Sequence, residues 1–504
     1  MFKQYDVIVV GAGNAGLCAA ATTAKHGLKT LLLERHNLPG GSASSFRRGR
    51  FEFEPSLHEL AGVGTKERPG DVRTLLESLG AEVEWYTEDT TFRAIAHGPD
   101  GYDVTLPTGI EAFADELERQ VPGSRESVLA VFDLAKKANN AFAYLSKGNP
   151  DPKVLATEHA DFMRMASHTI EEGLNALGMP EKAQHILSTY WCYLGAPVDQ
   201  LDFLHYAVML LKYVDLKPAM PYMRSHEISL ALEKSIRDNG GEIWYNTEVT
   251  KILVKDGAVY GVIAGGQEIH ANYVISNSFP NNVFSTMIDE ENIPEDALKM
   301  ANAREIGLSF STVYLGMNRT AEELGIKDYS IFIAPTPDSK EQRKLCEKIN
   351  NGFVIMNCLN NVIPDSSPEG TCTLFLTTMY FGDVWANVKP EEYKKLKNSV
   401  ANHMIEVCEK TLNISIKPYI EEIAIATPVT FARYLNTPMG TPYGYQLKGW
   451  DTMLPRIMSM KDEQLIKGLR FCGAHGERGD GYSSTYISGQ TAGMLTLKDI
   501  KEGK

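Results

Sequence analysis

Gly11, Gly13 and Gly16 stand at the spacing G-x-G-x-x-G, and a carboxylate, Glu34, follows about 20 residues further on. Glycines so spaced bring main-chain N–H groups against a pyrophosphate, and a carboxylate in that place accepts ribose hydroxyls. The chemistry is that of a bound dinucleotide. Gly11 permits a tight turn, Gly13 lets the main chain approach the phosphates, and Gly16 lets a helix pack on a strand. Asn14, Ala15 and Gly16 open that helix, whose free N–H groups and positive dipole end face the phosphates. A carboxylate at 34 disfavours a 2′-phosphate, which leaves FAD or NAD rather than NADP, and Arg35 beside it is a further candidate for cofactor binding.

The flanking segments are those needed to hold these residues. Tyr5 to Val10 is a short apolar run, as expected of a buried parallel strand. Leu17 to His26 is alanine-rich and helix-favouring, and Gly27 ends it. Lys29 to Leu33 is a second apolar strand that closes on Glu34. A lone glycine motif is weak; strand, glycines, helix, strand and acid in that order are what give it weight.

At 504 residues the chain exceeds one hydrophobic core, so two or three domains are expected. Its 43% apolar and 23% charged residues suit a folded soluble protein. A net charge of −14 argues against nucleic acid as a partner and removes the simplest route to anionic membranes. Seven cysteines are spread singly with no C-x-x-C pair, so no metal site is signalled and buried thiols in a reducing compartment are expected. No signal peptide or spanning apolar run is legible, which points to a cytoplasmic protein with peripheral membrane contact left open.

The segment "NLPGGSASSFRRGRFEFEPSLHEL" places Gly40 and Gly41 directly after the ribose acid. With the N-terminal motif it resembles the flavin amine oxidase and phytoene desaturase superfamily. The resemblance implies that Gly40 and Gly41 approach the diphosphate of FAD, and that the following segment runs beside the flavin. Ser42 departs from the arginine common there, and Phe51-Glu52-Phe53-Glu54-Pro55-Ser56 departs from F-x-F-D-x-G. The departures imply an altered surface on one side of the flavin, with Ser56 or His58 as the polar residue facing it.

Residues 110 to 215 read as helices broken by Pro and Gly, including "LDFLHYAVMLLKYV", which is expected to be a core helix lining a cavity. A helix over about 227–239 follows, then β-rich segments with turns at Gly240–Gly241, Asp256–Gly257 and Gly265–Gly266. This stretch resembles the central flavin-binding segment of phytoene desaturases, which implies main-chain hydrogen bonds from Val249 to the adenine. Residues 300 to 420 mix strands and helices and are assigned to a substrate domain.

Near the C-terminus, "ATPVTFARYLNTPMGTPYGYQ" resembles the segment that carotenoid isomerase-like and retinol saturase-like members place near flavin and substrate; it holds Tyr434, Asn436, Gly440 and Tyr443 to Tyr445. "GLRFCGAHGERGDGYSSTYISGQTAGML" reads as a strand (Leu469 to Cys472), a glycine-rich loop (Gly473 to Gly481) and a helix starting near Tyr486. The resemblance implies that this loop, with Gly473, Glu477, Gly481 and Tyr482, meets the ribityl chain, a phosphate and the flavin ring. A helix dipole aimed at that ring would stabilise reduced flavin. His475 and Arg478 stand where a large residue and proline are common.

The resemblance therefore implies an α/β fold: a split Rossmann-type FAD-binding domain with an inserted α+β substrate domain and a helical subdomain. The expected divisions are 1–95, 221–295 and 426–504 for FAD binding, 96–220 for the helical and first substrate part, and 296–425 for the second. It implies hydride transfer at a carbon–carbon bond of a polyene, unsaturated lipid or similar apolar molecule, by desaturation, saturation or isomerisation. His475, His58 and Tyr445 are the candidates for catalysis, His475 first because imidazole titrates near neutrality. With a single dinucleotide motif, electrons are expected to pass through the substrate, a quinone, a small redox protein or transient nicotinamide. Two other readings stay open: a flavin amine oxidase, and a non-enzymatic GDP-dissociation-inhibitor-like binding protein, against which the intact glycine set speaks.

Overall fold

In the computed structural model, which describes residues 4–146, 151–447, 449–460 and 464–503, the N-terminal residues form strand Gln4–Val10, helix Asn14–Lys25 and strand Thr30–Leu33. Successive side chains of the first strand enter opposite faces of a sheet, as strand geometry requires. Val7 and Val9 pack with the helix that follows, and Ile8 and Val10 join a second core on the other face. Both faces are covered, which explains why this strand is apolar throughout rather than alternating.

The sheet built around it runs in the order Val249–Lys255, Ala258–Ala264, Gln267–Ser276, Gln4–Val10, Thr30–Leu33, Glu242–Trp244. Strand Gln267–Ser276 pairs parallel with Gln4–Val10, while its outer edge is shared. Ala258–Ala264 pairs antiparallel with its first residues, and Leu469–Phe471 pairs parallel from Val274 onward. Three distant parts of the chain thus complete one sheet. The turns fall where the glycines are, with Gly257, Gly265 and Gly266 at φ +76°, +56° and +75°.

A second sheet has the order Ile420–Ala426, Ser309–Met317, Cys372–Tyr380, Val354–Cys358, Ser330–Ala334, Thr90–Ala96, Tyr102–Pro107. One face, with Phe92, Phe332 and Phe375, packs on the helical segment through Phe113, Phe132 and Tyr206. The other, with Val313, Leu315 and Met356, packs on helix Pro390–Leu412 through Val400, Met404 and Ile405. Strand Thr90–Ala96 belongs to this sheet, so a boundary at residue 95 cuts through an element.

Among the described residues eight helices lie between Ile110 and Leu216, including Arg125–Ser146 and Phe203–Leu216. The predicted helix at 227–239 spans Ser225–Asp238. The C-terminal helix spans Tyr482–Glu502 and starts four residues before the expected Tyr486, because Gly481 at φ +90° already makes the turn into it. Among the described residues no helix is long and apolar enough to cross a membrane. All seven cysteines are buried and unpaired.

Candidate active site

Gly11, at φ +93°, turns the chain out of the first strand, and helix Asn14–Lys25 begins at Gly13 with no side chain capping it. A Cβ on Gly16 would lie 1.9 Å from the Gly11 carbonyl oxygen, so the helix seats on the strand only through glycine. The second glycine pair lies against the first. Gly40 N–H donates to the Ala12 carbonyl at 2.8 Å, and a Cβ on Gly41 would lie 3.4 Å from Gly13 Cα. Glu34 braces this cradle: Oε2 accepts from Ala12 N–H at 2.7 Å and Oε1 from His36 N–H at 2.8 Å.

Helix Tyr482–Glu502 also begins without a side-chain cap, after Gly481. Both helix starts open into one cavity of about 980 Å³. The N–H groups of a first helical turn have no partner within the helix, so two uncapped starts facing one cavity form an anion-binding arrangement. Asn14 Oδ1, buried on the cavity wall, also lacks a partner among the described residues. Val249 and Glu34 line one end, and Gly40, Gly41, Ser42, Gly473, Gly481 and Tyr482 line the middle. These groups fit an extended dinucleotide. Tyr482 Oη donates to the Ser42 carbonyl at 3.0 Å and lies 3.0 Å from Ser56 Oγ, which ties the middle of the cavity together.

The far end is apolar and aromatic, with Phe142, Val208, Met209, Phe310, Ile355 and Met379 on its walls. Helix Phe203–Leu216 supplies Val208 and Met209, as its apolar sequence led us to expect. Tyr443 closes this end, donating from Oη to the Cys192 carbonyl at 2.7 Å.

The expected site residues separate on this geometry. His58 lines the cavity, with Nε2 3.0 Å from Thr377 Oγ1 and its ring stacked on Tyr193 at 5.9 Å. His475 stands between the main cavity and a second one of about 340 Å³, and lines both. Its ring lies 5.5 Å from Phe279 and 6.2 Å from Phe471. Burial, reinforced by Arg456 and Arg304, lowers its pKa to about 3, and burial lowers that of His58 to about 4. Both shifts favour the neutral imidazole, which keeps one N–H donor and one acceptor nitrogen. Tyr445 does not line the main cavity; its hydroxyl donates to Asn281 Oδ1 at 2.6 Å and its ring faces the second one. Glu477 also turns to the second cavity, accepting from Ser488 Oγ at 3.2 Å. Arg35 reaches the C-terminal segment, donating to the carbonyls of Arg433 and Tyr434 at 2.9 and 2.8 Å.

Two cavity carboxyls were not legible as site residues. Burial pushes Glu59 and Asp480 each up to about 7, partly offset at Asp480 by Arg456. Such a carboxyl stabilises the fold below its ordinary pKa, and the contribution is lost as pH rises through the folded value. The buried histidines have the opposite sign, losing stability as pH falls. A comparison of variants isolates one group. Asp480→Asn is expected to gain on the parent by about 4 kcal/mol in urea unfolding between about pH 4 and about pH 8. A difference independent of pH would mean that Asp480 is ionised in the fold.

Residues 9–76 match the NAD(P)-binding Rossmann-like domain family. Over 464 residues the chain is 25% identical to prolycopene isomerase 2, chloroplastic, of an Oncidium hybrid cultivar, covering 88% of this chain and 75% of that protein. It is 25% identical over 479 residues to the all-trans-retinol 13,14-reductase of Danio rerio, covering 88% and 78%. The solved structure of cyclohexylamine oxidase from Brevibacterium oxydans IH-35A superposes with a TM-score of 0.62 at 15% identity, covering 99% of each chain. Over most of its length the chain is thus similar to prolycopene isomerases and all-trans-retinol 13,14-reductases, with a Rossmann-like domain at its start and a fold that it shares with cyclohexylamine oxidase.

Proposed function

We propose that the protein is an FAD-dependent oxidoreductase or isomerase that acts on a carbon–carbon bond of a polyene or similar long apolar molecule. The observation that carries this reading is the single cavity joining two glycine-built anion cradles to an apolar, aromatic end. The relatives' names support the substrate class, since prolycopene and retinol are polyenes. Gly11, Gly13, Asn14, Ala15, Glu34, Arg35, Gly40, Gly41 and Val249 would hold the adenosine diphosphate half. Ser42, Gly473, Gly481 and Tyr482 would hold the flavin half. Bound FAD supplies hydride acceptance and donation. The helix start at Tyr482 favours negative charge beside it, and Phe142, Met209, Phe310 and Met379 position an apolar chain and exclude water.

The test is anaerobic incubation of the protein with polyenes and unsaturated lipids, first with oxidised and then with dithionite-reduced flavin, read by mass spectrometry. A gain or loss of two hydrogens is expected for a saturase or desaturase, and an unchanged mass with shifted retention, seen only with reduced flavin, for an isomerase. Hydrogen peroxide release with amines and no change in any polyene would overturn the reading in favour of an amine oxidase.

A further inference from the structure

We propose that Tyr193 delivers a proton to the substrate at the apolar end of the cavity and that Glu59, hydrogen-bonded to it, is the store from which that proton is replaced. The inference rests on the proposed function. Reducing a carbon–carbon double bond adds a hydride, with its electron pair, to one carbon and a proton to the other. Reduced flavin, when bound, would supply the hydride, and the proton needs a donor at the apolar end of the cavity. A donor there also has to be reloaded, and His58, the expected histidine on this wall, has the Thr377 hydroxyl rather than an acid at its Nε2.

Tyr193 Oη donates to Glu59 Oε1 at 2.9 Å, and both residues line the cavity. The Tyr193 ring is clamped between Tyr190, 4.8 Å away and nearly parallel, and His58. Glu59 is 4% exposed and its Oε2 has no partner among the described residues. Glu88, 7% exposed, lies close enough to interact electrostatically with it, and its Oε1 is also without a partner. Among the described residues neither carboxyl has a lysine or arginine partner. The groups around them are Tyr190 and Tyr193 from the segment at Trp191–Leu194, Cys192 beside them, Tyr213 from helix Phe203–Leu216, Tyr329, and His58. Burial raises every one of these hydroxyls and the thiol, and keeps the imidazole neutral. Two neighbouring carboxyls in an apolar setting without a cation do not both ionise, so the pair retains at least one proton at neutral pH.

In the step, protonated Glu59 is the donor across this contact and the Tyr193 hydrogen turns to the substrate; the Tyr193 O–H bond breaks as the new C–H bond forms, and the Glu59 proton moves onto the tyrosine oxygen. Solvent then reloads the Glu59 carboxylate. Tyr193 is the catalytic residue, and Glu59 positions and supplies it.

Infrared spectroscopy of the purified flavoprotein tests the store without any substrate. A protonated-carboxyl band is expected at about pH 6 that fades as pH rises through about 7, and Glu59→Gln should lose one carboxyl's share of it. Identical bands in parent and variant would overturn the proposal. With a polyene that the parent reduces, Tyr193→Phe and Glu59→Gln should each slow turnover by about 100-fold at unchanged flavin content, and the double variant should be no slower than the singles. The parent's rate should fall as pH rises through about 7, and Glu59→Gln should lose that limb. Parent-like turnover in Tyr193→Phe would overturn the delivery step. If the parent changes no polyene at all, it is the functional reading that fails, and the infrared result still decides the protonation of Glu59.

Discussion

Gly16→Ala is expected to yield little folded protein, whereas Gly13→Ala should fold and lose its dinucleotide. A Cβ at Gly16 would meet the Gly11 carbonyl oxygen at 1.9 Å and its carbon at 3.1 Å, both main-chain atoms of a turn already held at positive φ. The helix cannot slide away, because its other side is sealed by the C-terminal helix, where a Cβ on Gly489 would itself lie 2.1 Å from the Ala15 carbonyl oxygen. Overpacking against main chain from both sides is expected to cost about 3 kcal/mol or more, a large part of a typical net stability of about 5–15 kcal/mol. At Gly13 the nearest atom to a new Cβ is Asn277 Nδ2 at 2.5 Å, the tip of a side chain that can swing aside. The methyl group would then stand where the two glycine cradles meet. Thermal melts should show Gly13→Ala near the parent and Gly16→Ala far below it. Titration with FAD should show Gly13→Ala binding about 100-fold more weakly, a loss of about 3 kcal/mol. Full affinity in Gly13→Ala would remove the phosphates from this turn.

Asp451→Ala is expected to be strongly destabilising, because it breaks a buried ion network that reaches the wall of the second cavity through Arg304. Asp451 accepts from Arg456 Nε at 2.9 Å and from its terminal nitrogen at 2.6 Å, and from Arg304 Nε at 3.3 Å. All three side chains are almost wholly buried. The same Arg456 guanidinium holds the carbonyls of Tyr445 and Gln446 at 3.2 and 3.3 Å, so it anchors the segment that carries Tyr443. Removing the carboxylate strands two guanidinium groups in the interior, at a cost of roughly 3–5 kcal/mol. Urea unfolding of Asp451→Ala should register that loss. The triple replacement Arg304→Met, Asp451→Leu, Arg456→Met should recover a good part of it, since a whole buried ion network exchanged for apolar side chains is often neutral. A triple variant as unstable as the single one would mean that shape, rather than stranded charge, holds this wall.

The nucleotide half of the site was legible because each of its demands is local. A turn at positive φ admits glycine, a helix seated on a strand excludes a Cβ, and a closing carboxylate reaches back to the Ala12 N–H; all of this lies between Tyr5 and His36. The chemical half was not. Tyr445 and Tyr443 stand two residues apart in one glycine-rich loop, and nothing in their spacing tells which one faces the cavity. That choice depends on Asn281 holding one hydroxyl and the Cys192 carbonyl the other. Glu59 adjoins His58 in sequence, yet its pKa is raised only by burial among distant elements, against the hydrogen bond from Tyr193, 134 residues away, which lowers it. His475 carries the titratable group that sequence favours, and burial, with Arg456 and Arg304 nearby, disfavours its charged form. Sequence by itself determined where the main chain must come close to phosphate, since that depends on backbone geometry within one short segment. Only the tertiary structure decided which acids hold protons, because the cost of a buried charge is set by the desolvation that distant elements impose together.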